Sequence, residues 1–408
     1  MRANRWIPAP HREVSTTLAA AMPGALGATA GTGVNLGSDL LGGSFAFDPF
    51  SAYREGRVTN PNVVVLGQIG RGKSTFVKTL LLRELERGRR AVVLDPKGEY
   101  GGLAAAVGVR PVVVAPSGTT RCNPLLPGHD REAVRRDVGV IALLVAHGLG
   151  RNLTPIERTA LDVARSSCTT PVTLDAVAAA LLAPTTAAAD ELKLDGPTLL
   201  TNGREVAYEL LRFTRGDLAG MLSGESTPDV DFSAPLVVID CSAIWGTEAL
   251  APVMAAIIAR VHQIGETDPT PRYFVLDEAW AVLSDPRIAR WLQGSWKLAR
   301  ATATANICVL HRVADCVSAG AAGSVEQHLA AGLLADSGTV VCFSLDPTDA
   351  ADAAQTVGLS APAGRLLPKL RRGLAVIRVG HEHHLVAIEI DAAAAEVSES
   401  DDDIAGKL

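Results

Sequence analysis

Asn62-Val63-Val64-Val65-Leu66-Gly67-Gln68-Ile69-Gly70-Arg71-Gly72-Lys73-Ser74-Thr75 is the stretch that decides the fold. Its first half is a continuous apolar run without alternation, the pattern of a strand buried on both faces of a parallel sheet. Its second half reads Gly-x-x-x-x-Gly-Lys-Ser, and a helical pattern runs from Lys73 to about Arg87, stopping at Gly88. Strand, glycine loop and helix in that order form an anion cradle. The glycines let backbone N–H groups curl around phosphates, and the helix N-terminus adds its positive dipole. Gly67, Gln68, Ile69, Gly70, Arg71, Gly72, Lys73, Ser74 and Thr75 are therefore the candidate nucleotide-binding residues. Lys73 is expected to neutralise the β- and γ-phosphates and Ser74 to hold a metal through its hydroxyl, so ATP and Mg²⁺ are the expected ligands.

Further buried strands follow on both sides of a strand-free interval. Ala91–Leu94 and Pro111–Ala115 come before it; Leu236–Asp240, Tyr273–Leu276, Asn306–Leu310 and Thr339–Leu345 come after, with helical stretches near 248–263, 286–301 and 322–335. Alternating β and α with buried strands predicts an α/β fold with a doubly wound, mostly parallel sheet. Residues 45–122 and 233–392 form the expected core. The interval 123–232 reads as an all-helical insertion, with a start at Thr154-Pro155-Ile156-Glu157, where Thr154 can cap and Glu157 can close the capping box. Residues 1–44 are expected to be a loose arm and 393–408 a disordered acidic tail. Gly373–Val379 and His384–Ile390 read as a hairpin at the sheet edge.

Composition narrows the function classes. The chain has 38 basic and 44 acidic side chains, a net charge of −6, so it carries no overall basic signature of a nucleic-acid binder. Six cysteines (122, 168, 241, 308, 316 and 342) lie scattered with no Cys-x-x-Cys pair, which points to buried thiols in a reducing compartment. No apolar run reaches membrane-spanning length, and the expected location is the cytoplasm, peripheral to the inner face of the plasma membrane.

Carboxylates complete the nucleotide site. Tyr273-Phe274-Val275-Leu276 delivers Asp277 and Glu278 to a strand's C-terminal end, where open α/β sheets bind ligands. Asp277 is expected to bind Mg²⁺ and Glu278 to polarise the attacking water, which favours hydrolysis over binding alone. His311 ends the Asn306–Leu310 strand, placed to sense the γ-phosphate or the water. Asp95-Pro96-Lys97-Gly98-Glu99-Tyr100 ends another strand; a turn needs its Pro and Gly, and Asp95, Lys97 and Glu99 are expected behind the site or at a subunit contact. His381-Glu382-His383-His384 has the look of a metal cluster but reads as a hairpin turn.

The phosphate loop, the Asp-Pro-Lys-Gly-Glu-Tyr strand end, the long helical insertion and the late Leu-Asp-Glu-Ala-Trp together resemble the HerA/FtsK superfamily. Within it the likeness is to conjugation and type IV secretion ATPases of the TraC/VirB kind. Phe47-Asp48-Pro49-Phe50, Asn60-Pro61-Asn62, Leu153-Thr154-Pro155 and Gly373-Leu374-Ala375 fit that branch, and the resemblance spans roughly residues 40–390. It implies a RecA-like P-loop NTPase core, a hexamer with ATP between subunits, and work with secretion or conjugation channel proteins on DNA, a relaxase–DNA complex or protein. It further implies an arginine supplied by a neighbouring subunit, for which Arg212, Arg215, Arg300, Arg312 and Arg372 are the candidates. Two departures stand out: His311 occupies a strand end where the superfamily usually has Gln, and the long N-terminal domain common in the branch has no counterpart in the 44 residues before the motor.

Overall fold

The computed structural model describes residues 31–40, 43–268, 270–283, 285–313, 332–334 and 336–398. Eleven strands form one sheet: β1 (Val34–Asp39), β2 (Gly43–Phe47), β3 (Val63–Leu66), β4 (Arg90–Asp95), β5 (Val112–Val113), β6 (Leu236–Asp240), β7 (Arg272–Leu276), β8 (Thr304–Leu310), β9 (Thr339–Cys342), β10 (Leu374–Val379) and β11 (Glu382–Ile388). Their spatial order is β2-β1-β11-β10-β9-β3-β8-β7-β4-β6-β5. The run from β9 to β5 is parallel, and β10, β11, β1 and β2 continue it antiparallel.

The unbroken apolar strands are explained by two cores, one on each face. Val64, Leu66, Val92 and Leu94 point into one; Val63, Val65, Ala91 and Val93 point into the other. Because successive side chains alternate, a strand covered on both faces has no polar position to show. Helices α1 (Pro49–Arg54), α2 (Lys73–Glu86) and α3 (Gly101–Val107) belong to the first stretch of core. The insertion holds α4 (Arg131–Leu149), α5 (Pro155–Ser167), α6 (Leu174–Leu182), α7 (Thr186–Leu192) and α8 (Gly196–Thr214). Then come α9 (Leu250–Thr267), α10 (Trp280–Leu283), α11 (Pro286–Lys297), α12 (Pro347–Thr356), α13 (Ala361–Leu366) and α14 (Ala392–Ser398). At α5 both bonds of the Thr154–Glu157 capping box are made.

The insertion leaves and re-enters through paired chain segments. Cys122 N donates to Met221 O at 2.8 Å, Thr227 N to Arg121 O at 3.0 Å, and Ser117 N to Ala219 O at 3.2 Å. These bonds satisfy backbone groups that a two-chain crossing would otherwise bury unpaired. The helical segment is thereby held as a rooted lobe.

Three expectations need correction. Residues 34–39, assigned to a loose arm, form β1, in register with β11 (Gly37 opposite Ile388) and with Leu36 fully buried. Val-Asn-Leu-Gly-Ser-Asp has only two apolar positions and a bulge beside Gly37, too little alternation to show as a strand. The β10–β11 hairpin is consequently interior, and β2 is the edge on that side. Residues 393–398, assigned to the tail, belong to α14, whose Ala394 and Val397 are buried. Their i, i+3 spacing makes one apolar stripe on an otherwise featureless alanine run. Residues 1–30, 399–408 and most of the 322–335 stretch lie outside the described residues.

His381-Glu382-His383-His384 is divided by the strand pleat rather than gathered. His384 Nδ1 sits 2.8 Å from Asp39 Oδ2, while His383 Nε2 accepts from Ser360 N at 3.2 Å on the other face. Among the described residues no group of three or more His, Cys, Asp or Glu side chains could hold a metal, and no helix is long and apolar enough to cross a membrane. The described cysteines are free and buried; Cys316 lies outside the described residues. Leu36→Ala is expected to cost about 2–5 kcal/mol, the range for emptying a core leucine site, read as a lowered denaturation midpoint. An unchanged midpoint would show β1 to be dispensable to the sheet.

Candidate active site

The phosphate loop follows β3 as its sequence dictates. Gly67 has φ +155°, and a Cβ there would lie 2.6 Å from Phe343 Cβ, so only glycine passes. Gly72, at φ +109°, caps α2 without any side-chain bond to its first amides. Those amides and the helix dipole are left to the loop's concavity, which fits a polyphosphate. Lys73 is buried and uses all three ammonium protons. It donates to Gly67 O at 2.7 Å and Gln68 O at 3.1 Å, and faces His311 Nδ1 at 2.9 Å. Burial pulls its pKa down to about 8, with the charges of Asp277 and Glu278 resisting. Ser74 and Thr75 sit half-buried on the first turn, and Ile69 and Gly70 are exposed at the loop tip.

Strand order brings the next residues in. β8 lies between β3 and β7, so their ends stand about 5 Å apart in succession. His311 therefore falls midway between Lys73 and Glu278, with Nε2 2.9 Å from Glu278 Oε1. Because Nδ1 accepts a hydrogen bond from the Lys73 ammonium, it is the bare nitrogen, and Nε2–H is the donor to Glu278. The imidazole is thus a relay of one defined tautomer.

Glu278 is the most constrained side chain of the site. It sits at φ +48°, a left-handed conformation costing a non-glycine residue about 1 kcal/mol or more. Oε1 also receives Lys97 Nζ, and Oε2 receives Trp280 Nε1 at 2.5 Å. Burial alone would raise its pKa; the hydrogen bonds from His311, Lys97 and Trp280 outweigh that and hold it at about 2. Asp277 is the opposite case. Burial and the neighbouring Glu278 charge push it up to about 7, and it has no ion-pair partner among the described residues. A buried carboxylate without a cation, beside the Ser74 hydroxyl's helix, is a donor set suited to Mg²⁺.

The 95–100 turn has an organiser and an effector. Asp95 Oδ1 accepts from Lys97 N, Gly98 N and Glu99 N at 3.3, 2.9 and 3.1 Å, and Oδ2 from Tyr100 N at 2.9 Å. Burial nevertheless raises its pKa. Asp95 therefore builds the turn, and the turn aims Lys97 at Glu278. Glu99 lies near enough for its charge to act on Lys73 and Asp277. Trp280 and Trp245, which carry no stacking pattern along the sequence, meet here as an edge-to-face pair with centroids 5.7 Å apart. Only the position of Trp280 two residues after Glu278 could have signalled its role.

Residues 58–136 match the family described as the central domain of helicase HerA. No curated protein matches the sequence. The structure of VirB4 from Thermoanaerobacter pseudethanolicus is similar with a TM-score of 0.72 and 23% identity, covering 91% of this chain and 100% of that one. The plasmid coupling protein TrwB in complex with ADP and Mg²⁺ is similar with a TM-score of 0.56 and 16% identity, covering 91% and 92%. The fold is the one shared with VirB4 and TrwB.

Within that fold the five arginines fall in different places. Arg372 lines, with Gly72, Thr75, Ile388, Ile390 and Ala395, a cavity of about 430 Å³ beside its own phosphate loop. Arg312 pairs with Asp349 at 3.4 Å. Arg212 pairs with Glu209 and Asp217, both at 2.8 Å, in the helical lobe, and Arg215 follows at the end of α8. Arg300 shares a cavity with Asn60 and Asn62, at the strand ends opposite the loop. Arg372 is thus brought beside the loop of its own chain. Asp95→Ala should leave four amides without an acceptor, costing about 1–3 kcal/mol, and hydrogen exchange at residues 97–100 should quicken. Unchanged protection there would refute Asp95 as the organiser of the turn.

Proposed function

We propose that this chain is an ATP-hydrolysing motor of a conjugative DNA transfer or type IV secretion apparatus. The observation that carries it is the continuous Lys73–His311–Glu278 link across three neighbouring strand ends, each step 2.9 Å. ATP would lie with its phosphates over the 67–75 loop and its nucleoside toward the cavity beside Arg372. Lys73 and the first amides of α2 would take up phosphate charge. Ser74 and Asp277 would hold Mg²⁺, which supplies further neutralisation of the phosphate oxygens. Glu278 would accept a hydrogen bond, then a proton, from the water attacking the γ-phosphorus. His311, joined to both Lys73 and Glu278, would report the charge at one to the other.

The VirB4 likeness, over 91% of this chain, supports the secretion-motor reading. The second reading, a DNA translocase or coupling protein, is favoured by the likeness to TrwB; stimulation of turnover by DNA would select it. A non-hydrolysing scaffold subunit is disfavoured by the presence of both Lys73 and Glu278. We place the protein in the cytoplasm at the inner membrane face, as a hexamer working with channel proteins, with an arginine from the next subunit reaching the nucleotide.

Lys73→Ala should abolish nucleotide binding, whereas Glu278→Gln should keep binding and lower turnover by about 10²-fold or more. Phosphate release at the wild-type rate from Glu278→Gln would end the motor assignment. Mg²⁺-dependent nucleotide binding should also weaken with acid. Asp277 must be ionised to hold the metal, and its pKa is raised to about 7, so affinity should fall as pH drops below that value. The fall should vanish in Asp277→Asn, measured by titration across pH 6–8; a persisting pH dependence would assign it elsewhere.

A further inference from the structure

The turn after β6 carries Trp245 to the rear of the catalytic carboxylate. The Lys97 ammonium lies over its ring, 5.2 Å from the centroid. Trp280 meets the same ring edge to face, at 5.7 Å and an interplanar angle of 82°. Lys97 and Trp280 are two of the three donors on Glu278, one to each carboxylate oxygen. A single aromatic ring thus supports both donors while making no polar contact with Glu278 itself.

The far side of that ring is open to the helical lobe. Trp245 and Trp280 line a cavity of about 610 Å³ whose other walls include Leu144 of α4, Glu209 and Phe213 of α8, and Leu250 of α9. Trp245 keeps about a third of its surface exposed, 36%, so it is not a core residue whose loss would empty a packed site. The lobe is further tied to the segment after Glu278, since His147 of α4 lies 2.5 Å from Asp285, the cap of α11.

We propose that Trp245 is a positioning residue for hydrolysis, acting through Lys97 and Trp280, and that the helical lobe reaches Glu278 by way of it. The inference rests on the reading of Glu278 as the base. Physically, a carboxylate with both oxygens occupied takes its orientation from where its donors stand. Lys97 is long and one-third exposed at 30%, so the ring that attracts its ammonium is what limits its reach. Movement of the lobe against Trp245 would shift Lys97 and the indole together, and so alter the aim of Glu278 without touching the phosphate loop.

The test is steady-state ATP turnover with nucleotide affinity and melting temperature for Trp245→Ala, Trp245→Phe, Lys97→Ala and the Trp245→Ala/Lys97→Ala pair. Trp245→Ala should lower kcat by about tenfold, since small misplacements of a catalytic group carry penalties of that order or more. KM and nucleotide affinity should stay within about twofold. Trp245→Phe, which keeps an aromatic face, should recover most of kcat. In the Lys97→Ala background Trp245→Ala should add less than it does alone, because the two act on one carboxylate. An unchanged kcat in Trp245→Ala overturns the proposal. So does a joint loss of kcat, affinity and melting temperature that phenylalanine does not rescue. Glu278→Gln separates the two levels: if it leaves turnover intact, the base assignment has failed; if it abolishes turnover while Trp245→Ala is silent, only the role of Trp245 has failed.

Discussion

Everything at the site depends on β8 being threaded between β3 and β7. That arrangement sets the phosphate-loop lysine and the Glu278 strand end two strand spacings apart, too far for direct contact and right for one imidazole between them. The three protons of Lys73 are then spent on two loop carbonyls and His311, which forces the histidine into the tautomer that donates to Glu278. A glutamine amide could also accept from the lysine and donate to the carboxylate. His311 meets the same donor–acceptor requirement with the two nitrogens of one ring.

The two adjacent carboxylates show how environment separates like groups. Asp277 is buried without a cation and its acidity is weakened; Glu278, one residue on, is surrounded by donors and its acidity is strengthened. A left-handed turn at Glu278 directs the two side chains to these different surroundings. The division suits one to a metal and the other to a water.

The helical lobe is joined to this chemistry by more than its backbone neck. The His147–Asp285 contact and the cavity between α4, α8 and the Trp245 turn lie where the lobe meets the core. That is where the lobe comes nearest to the donors that hold Glu278.

The parallel strands, the loop and the carboxylate pair were legible along the chain because each is a local pattern: strands buried on both faces show no polar alternation, and a phosphate loop needs its glycines in fixed order. β1 and α14 were not, since Val34, Leu36, Ala394 and Val397 are too few to make a period and become core only against distant partners. The same holds for the turn at 95–100. Its Pro and Gly announce a turn, but that Asp95 ties it and Lys97 serves Glu278 depends on β4 lying beside β7. Trp245 and Trp280 are 35 positions apart and meet only because β6 and β7 both flank β4. The sequence by itself determined the strand, glycine loop and helix of the 62–86 stretch, since that pattern is carried by contiguous backbone. Only the tertiary structure decided how Glu278 is held and what stands behind it, because its donors arrive on separate strands.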